Sequence, residues 1–253
     1  MRRLPAAALA AILFSLACGE SEDDVLLPRK LLPPEEKDTS FVTVRGGTFV
    51  TPEGDTVQVA GFRLGRYEVT NRLYLNLAAE ENIPLPPDPG FPGMEDYLYK
   101  YPDYPVVNVS MNEAEKAAAI LGGRLPTITE WRYAASLCLD GDVVGRYPWG
   151  ELTPELAGYP ANYLAGDQWE TRYMDGYLWT APVDSFPLTD AGFACQAGNV
   201  AEWTVIPGDS MAGVCGGAWL SAACGITVDA CRRLSPGDRA RHVGFRILLP
   251  LNR

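Results

Sequence analysis

The sequence predicts an α+β domain in which two or three short helices pack on small antiparallel sheets and much of the chain is irregular. Three observations support this prediction. Residues 41–69 alternate β-branched and aromatic residues with glycine breaks, two capping-box sequences begin at Ser110 and Thr127, and the chain after Leu139 is rich in Gly, Pro and aromatic residues. Irregular chain of that length needs cross-links to hold it in a compact domain.

The first residues have the layout of an export signal. Met1, Arg2 and Arg3 form a short basic region, and the apolar run from residue 4 to 16 is too short to span a bilayer. We therefore predict a signal peptide over residues 1–17. Cys18 follows Ala17 as in a bacterial lipobox, which predicts a lipid anchor on Cys18; the alternative is a soluble secreted protein.

Residues 18–40 are acidic and contain prolines without a sustained period, so they are predicted to be the anchor site followed by a flexible tether. The predicted domain occupies residues 41–253. This organisation places the protein in the cell envelope, either facing the periplasm or at the outer membrane. Without lipidation it would be secreted.

The charge and histidine content exclude several functions. The chain has 21 basic and 32 acidic residues, and a net charge of -11 argues against a nucleic-acid partner. His242 is the single histidine, which excludes HExxH zinc sites. No G-x-S-x-G nucleophile motif occurs in the sequence.

Three helices are predicted from start and stop signals. The first begins at Thr70-Asn71 and ends near Asn82, the second begins at Ser110 and stops at Gly122-Gly123, and a short third begins at Thr127. Residues 81–105, between the first two helices, are rich in proline, tyrosine and acidic residues. We expect a solvated surface loop there; the alternative is one wall of a binding groove.

A set of short motifs resembles the formylglycine-generating enzyme, or sulfatase-modifying factor, family. The motifs keep the family's order over residues 41–249, and they read RGGTFV, GRYEVTN, YPVVNVSMNEA, GGRLPTITEW, YPWG, AN, TAPVDSFP, GNVAEW, GGAW and HVGFRI. The resemblance implies a variant of the C-type lectin fold with little regular secondary structure, which agrees with the pattern described above.

Several motif residues have structural interpretations. The glycine pairs at 46–47 and 216–217 allow strand bends or close backbone approach. The tryptophans Trp131, Trp149, Trp203 and Trp219 can fill a core that lacks long helices. Arg124 and Arg246 are expected to pair with carboxylates such as Glu130 or Glu202 and to support the fold.

The resemblance also implies calcium. One family site uses an Asn, the next carbonyl, an Asp and the carbonyl two residues later, which correspond here to Asn162, Tyr163, Asp175 and Tyr177. Hard cations prefer such oxygen donors. The alternative is that Asn162 and Asp175 only cap turns.

The second family site is damaged in this sequence. Its positions correspond to Cys195, Gly198, Val200 and Glu202. A cysteine is a poor ligand for calcium, so the first ligand of this site is lost.

The cysteines permit disulfides in an exported chain, and five of them follow Cys18. The position of the bridge in eukaryotic relatives implies a disulfide between Cys138 and Cys231. The local alternative is Cys224 with Cys231, and an odd number leaves at least one thiol unpaired within the chain.

The family's oxidases bind Cu(I) between two thiolates and convert a substrate cysteine to formylglycine. Alignment of GGAW with the family motif places Ser221 and Ile226 at the two copper positions. The resemblance therefore implies a member without copper oxidase activity, which acts as a calcium-stabilised binding or structural module for a peptide, a glycan or an envelope protein. The alternative is an active oxidase that recruits Cys215 or Cys224.

Overall fold

Strands from both ends of the domain pair with each other in this computed structural model, which describes residues 38, 40–137, 145–166 and 173–251. One antiparallel sheet has the order β1-β4-β9, and a separate hairpin pairs β2 with β3. These strands are β1 (Phe41–Val44), β2 (Gly47–Val50), β3 (Thr56–Val59), β4 (Phe62–Gly65) and β9 (Leu248–Pro250).

The predicted helices form where their caps indicate. The four helices of the described residues are α1 (Asn71–Glu81), α2 (Tyr97–Lys100), α3 (Met111–Ile120) and α4 (Ile128–Ala135). Thr70 caps α1, and Asn82 ends it in the left-handed conformation. Complete capping boxes start α3 and α4, so the three predicted helices are confirmed.

A second sheet forms the floor beneath the candidate site. Its order is β7-β6-β5-β8, with β5 and β8 parallel and the other pairs antiparallel. The strands are β5 (Ala201–Thr204), β6 (Ala212–Cys215), β7 (Cys231–Leu234) and β8 (Val243–Gly244). Every residue of β5 and β6 is buried, whereas β7 lies at the edge of the sheet. The parallel pair departs from the purely antiparallel prediction.

The main core lies between α1, α3 and this second sheet. Trp203 on β5 is fully buried and donates its indole N–H to the Val109 carbonyl at 3.0 Å. Trp131 on α4 is fully buried as predicted, while Trp149 and Trp219 are only partly buried.

Much of the insertion over residues 81–105 is exposed, as predicted for a surface loop, but part of it packs into the domain. Phe91 and Tyr97 are 2% and 1% exposed. The Tyr97 hydroxyl donates to the Pro105 carbonyl at 2.7 Å, and the Phe91 ring stacks on Trp179 with centroids 5.4 Å apart. These two aromatic side chains are therefore shielded from water, whereas Tyr99, Tyr101 and Tyr104 remain partly exposed.

The end of the predicted tether already contacts the domain. Asp38 is buried and accepts a hydrogen bond from the Thr70 hydroxyl, and Ser40 accepts one from Arg66. Residues Leu31–Arg253 group as one compact unit. The predicted signal peptide and Cys18 lie outside the described residues. None of the helices in the described ranges has the length and apolar character needed to cross a membrane.

Candidate functional site

Asn199 connects three segments of irregular chain. It is fully buried and has a positive φ of 58°. Its side-chain nitrogen donates to Glu68 Oε2 at 2.7 Å, and its side-chain oxygen accepts N–H groups from Asn162 at 3.2 Å and Ala181 at 2.8 Å. One amide thus ties the candidate calcium segment to the TAPV segment and to the start of β5. The GNV motif contained this residue, but sequence reasoning did not single it out.

Arg246 and Glu202 form a buried ion pair near this network. Arg246 donates to Glu202 Oε2 from Nε at 2.7 Å and to Oε1 from Nη2 at 2.6 Å. The Trp131 indole donates to the same carboxylate at 2.7 Å. The predicted Arg246–Glu202 pair is confirmed, as is the pair of Arg124 with Glu130 at 2.6 Å.

Glu68 adds a second buried carboxylate to this cluster. Burial, and then the charge of Glu202, raise the pKa of Glu68 well above its ordinary value, while Arg246 acts in the opposite direction. The Asn199 amide and the Val200 N–H both donate to it. These donors satisfy a carboxylate that sequence reasoning missed, because its partners are more than 130 residues away.

The first candidate calcium ligands lie together. Asp175 Oδ2 accepts the Tyr163 N–H at 2.7 Å, and Oδ1 accepts the Tyr177 N–H at 3.0 Å. Asp175 therefore caps a turn, as the alternative interpretation requires. Turn capping leaves one atom unexplained: Asn162 Oδ1 is buried and has no hydrogen-bond partner. An unsatisfied buried acceptor beside a carboxylate fits the oxygen donors that a hard cation needs.

The surroundings of Asp175 are also compatible with a bound cation. Burial raises the pKa of Asp175, and the N–H groups of Tyr177 and Tyr163 offset part of the effect. A nearby cation would favour the charged form. Within the described residues, no three His, Cys, Asp or Glu side chains converge, so Asn162 and backbone carbonyls would supply the remaining protein ligands.

The second candidate calcium residues are engaged in other ways. Both Glu202 oxygens accept hydrogen bonds from Arg246, and the Cys195 thiol donates to the Val183 carbonyl at 3.5 Å. Gly198 has a φ of 75°, and a Cβ there would lie 2.1 Å from the Asn162 carbonyl oxygen. Gly198 thus allows the chain before β5 to approach Asn162 closely, while the Val200 N–H donates to Glu68. The arrangement offers no free carboxylate to a second cation.

The copper positions hold residues that cannot bind Cu(I) as thiolates do. Ser221 Oγ accepts the Ala218 N–H at 3.0 Å, and Ile226 is fully buried in an apolar cluster with Tyr147 and Tyr163. Gly217, with a φ of 67°, lets the GGAW turn approach this loop: a Cβ there would lie 2.1 Å from the Gly225 carbonyl oxygen.

The predicted disulfide is wrong, because Cys231 bridges Cys215. These two residues face each other in the register of β7 and β6, which brings their Cα atoms to 4.1 Å. The local alternative with Cys224 is wrong for the same reason. Cys138 lies outside the described residues, Cys195 is a buried free thiol, and Cys224 is an exposed free thiol.

Comparison with known proteins identifies the family. The profile of the sulfatase-modifying factor enzyme 1-like domain matches residues 29–250. The chain belongs to this sulfatase-modifying factor family. Its members include the formylglycine-generating enzyme of Thermomonospora curvata, to which the chain is 30% identical over 232 residues, covering 71% of this chain and 75% of that enzyme.

Other sulfatase-modifying factor relatives differ in activity. The inactive C-alpha-formylglycine-generating enzyme 2 of Bos taurus is 33% identical over 156 residues, which cover 57% of this chain and 50% of the bovine protein. Shared membership therefore does not decide between an active and an inactive protein.

Solved structures support the fold of this family member. PvdO from Pseudomonas aeruginosa aligns with a TM-score of 0.65 at 24% identity, covering 83% of this chain and 94% of PvdO. Treponema denticola variable protein 1 aligns with a TM-score of 0.62 at 20% identity, with coverage of 83% and 94%. The predicted variant of the C-type lectin fold is confirmed.

Proposed function

We propose that this protein is a non-oxidising member of the sulfatase-modifying factor family that serves as a calcium-stabilised binding or structural module of the cell envelope. The observation that carries the proposal is the packing of Ser221 and Ile226. A Cu(I) site of this family needs two thiolates, and here one position is a hydrogen-bonded serine and the other a fully buried isoleucine.

No second thiol of the described chain takes over the role. Cys215 is held in the disulfide with Cys231, and Cys195 is buried beneath the Val183 carbonyl. Burial raises the pKa of the Cys195 thiol well above its ordinary value, and the charge of Glu68 adds to this effect, so a thiolate is disfavoured there. Cys224 alone among the described cysteines is both free and exposed.

In this proposal, calcium stabilises the scaffold. Asn162, Tyr163, Asp175 and Tyr177 would hold the ion through oxygen atoms. Leu164, next to these ligands, donates its N–H to the Ser221 carbonyl at 2.9 Å, and Asn199 donates its N–H to the Asn162 carbonyl at 2.7 Å. A cation at this site would thus stabilise the loop that carries the former copper positions.

The test is a Cu(I) titration followed by an oxidase assay on a peptide with the sulfatase-type CxPxR sequence. Free thiols are counted first, so that the Cys215–Cys231 disulfide is known to be intact. We expect no stoichiometric Cu(I) binding and no formylglycine by mass spectrometry. The Thermomonospora curvata enzyme, assayed in parallel, is the positive control. Turnover by the unmodified chain would overturn the proposal and establish the alternative, an active oxidase.

The double variant S221C/I226C provides a matched gain-of-site control. It restores thiols at both family positions without touching the disulfide. We expect it to bind about one Cu(I) per chain, since two thiolates are the soft ligands that select this ion.

A further inference from the structure

The loop that contains Ser221 and Cys224 forms one wall of a cavity of about 210 Å³, which we call the cationic cleft. Its polar lining is Ser221, Cys224, Arg232 and His242, and its apolar lining includes Leu220. None of its lining residues is an Asp or Glu. This composition is unexpected in a chain with a net charge of -11.

Two arginines of this region have no carboxylate partner among the described residues. Arg232 is exposed, and among the described residues no ion pair involves Arg232 or Arg241. Arg241 lies over the Trp179 and Trp219 rings, 5.7 Å from each centroid. In contrast, several other arginines pair with a carboxylate, namely Arg72, Arg124, Arg132, Arg233, Arg239 and Arg246.

His242 lines the cleft together with Arg232, and Arg241 precedes His242 in the chain. Burial lowers the pKa of His242, and the charges of Arg232 and Arg241 lower it further, while no carboxylate acts in the opposite direction. An anion in the cleft would therefore meet the Arg232 guanidinium and no lining carboxylate, while Arg241 is adjacent to His242 in the chain.

The cationic cleft borders an edge strand, β7, through Cys231 and Arg232. Arg232 lies on β7, the outer strand of the second sheet, and it also lines a second cavity of about 360 Å³ together with Ile206 and Arg233. The one carboxylate in that lining, Glu53, is paired with Arg132. The two cavities share Cys231 and Arg232 in their linings, so a ligand that follows β7 would reach both, as an extended chain does and a small ion does not. Among the described strands, β7 has a hydrogen-bonded neighbour on one side only. Extended peptides can add to such an edge by main-chain hydrogen bonds.

We propose that the cationic cleft and the β7 edge bind an extended acidic peptide, whose carboxylates pair with Arg232 and Arg241. Guanidinium groups pair with carboxylates through two parallel hydrogen bonds, so an acidic side chain is the matching ligand. The inference rests on the proposed binding role. It also implies that a CxPxR peptide is disfavoured, because its arginine would face Arg232 and Arg241.

The competing explanation is that arginines on β7 only prevent unwanted strand pairing. Charged residues commonly protect edge strands from aggregation. That explanation predicts no peptide binding. The net charge of the whole chain predicts a preference for basic peptides, which is opposite to the preference that the cleft predicts.

The experiment compares two blocked hexapeptides by calorimetry at low salt, one of alternating Thr and Glu and the other of alternating Thr and Lys. We expect the Glu peptide to bind at least about tenfold tighter. Arg232→Gln and Arg241→Gln should each weaken it about tenfold. Arg45→Gln, which removes the same charge from an exposed residue elsewhere, should leave the affinity unchanged.

Cys224 reports where the peptide binds. Alkylation of this exposed thiol by iodoacetamide is followed by mass spectrometry of the peptide that contains Cys224, and the Glu peptide should slow it. Binding that neither protects Cys224 nor depends on Arg232 would overturn the inference, as would a preference for the Lys peptide or no binding of either. If inorganic sulfate binds as tightly as the Glu peptide and with the same dependence on Arg232, the inference is overturned and the ligand of the cleft is a small anion. The proposed function fails only if the chain forms formylglycine, which none of these binding results involves. Failure of the inference can therefore be told apart from failure of the proposed function.

Discussion

All hydrogen-bond donors of the buried Arg246 side chain are used. Its five N–H donors form five hydrogen bonds, two to the Glu202 carboxylate and three to the carbonyls of Gly65, Arg66 and Ala194. The guanidinium thus joins β5 to the end of β4 and to the loop before β5. Removal of one member of a buried pair leaves an uncompensated charge, which costs more than the pair itself contributes.

We predict that Arg246→Leu lowers the free energy of unfolding by about 3–5 kcal/mol. Arg124→Leu removes the same kind of side chain from the Arg124–Glu130 pair, where the arginine side chain is 51% exposed. That loss should be within about 1 kcal/mol, because water screens exposed pairs. Urea unfolding followed by circular dichroism measures both variants, and equal losses would contradict the prediction.

His242 gives a second prediction at this scale. Because it is the single histidine, its NMR titration is unambiguous. Its pKa should lie below 6.5 and should rise in Arg232→Gln, since one of the repelling charges is removed. With a lowered pKa in the folded state, His242 favours folding at higher pH, and that contribution is lost as the pH falls below about 6.5. An unchanged pKa in the variant would place Arg232 away from the imidazole.

Among the secondary-structure elements, β7 depends on a covalent bond. The Cys215–Cys231 disulfide joins this edge strand to β6 and closes a loop of 16 residues in sequence separation. That loop contains Ser221, Cys224 and Ile226, so the bridge closes the segment that forms the cationic cleft. An edge strand has a hydrogen-bonded neighbour on one side only, which makes the extra link valuable.

We predict that C215A/C231A loses about 3 kcal/mol of unfolding free energy, as expected for a loop of about 15 residues. Cys224→Ala changes a cysteine in the same loop that forms no disulfide, and it should leave stability within about 0.5 kcal/mol. Chemical unfolding without reductant measures both. A loss in Cys224→Ala equal to that in the double variant would argue for a different pairing.

The elements that sequence could predict are those specified locally. Thr70, Ser110 and Thr127 mark helix starts because a cap acts on N–H groups within three residues. The packing of Phe91 against Trp179 and the pairing of Cys215 with Cys231 could not be predicted, because they depend on which distant segments meet. The Arg246–Glu202 pair was accessible through motif residues, whereas the Asn199 contacts with Glu68 and Asn162 required the fold itself.

Across the whole molecule, hydrogen bonds connect the candidate calcium segment to the core. Asn162 donates its side-chain N–H to the Trp179 carbonyl at 2.7 Å and bonds Asn199, which in turn holds Glu68. Trp219 donates its backbone N–H to the Asn199 carbonyl at 2.9 Å and so attaches the GGAW turn to the same network. A cation on Asn162 would therefore stabilise loops that have little regular secondary structure of their own.

We predict that calcium raises the melting temperature of this domain through Asp175. A ligand that binds only the folded state at about 100 times its Kd adds about 2.7 kcal/mol, which corresponds to a shift of about 5 °C or more for a domain of this size. Asp175→Asn removes the charge and keeps one of the two oxygens that accept the Tyr163 and Tyr177 N–H groups, so the difference between calcium and EGTA should largely disappear. Asp190→Ala, at an exposed aspartate of a neighbouring loop, should retain the full shift. Differential scanning calorimetry compares the three proteins. A melt of the unmodified chain that does not respond to EGTA, or a full shift in Asp175→Asn, would mean that Asp175 only caps its turn and that Asn162 Oδ1 is satisfied by water.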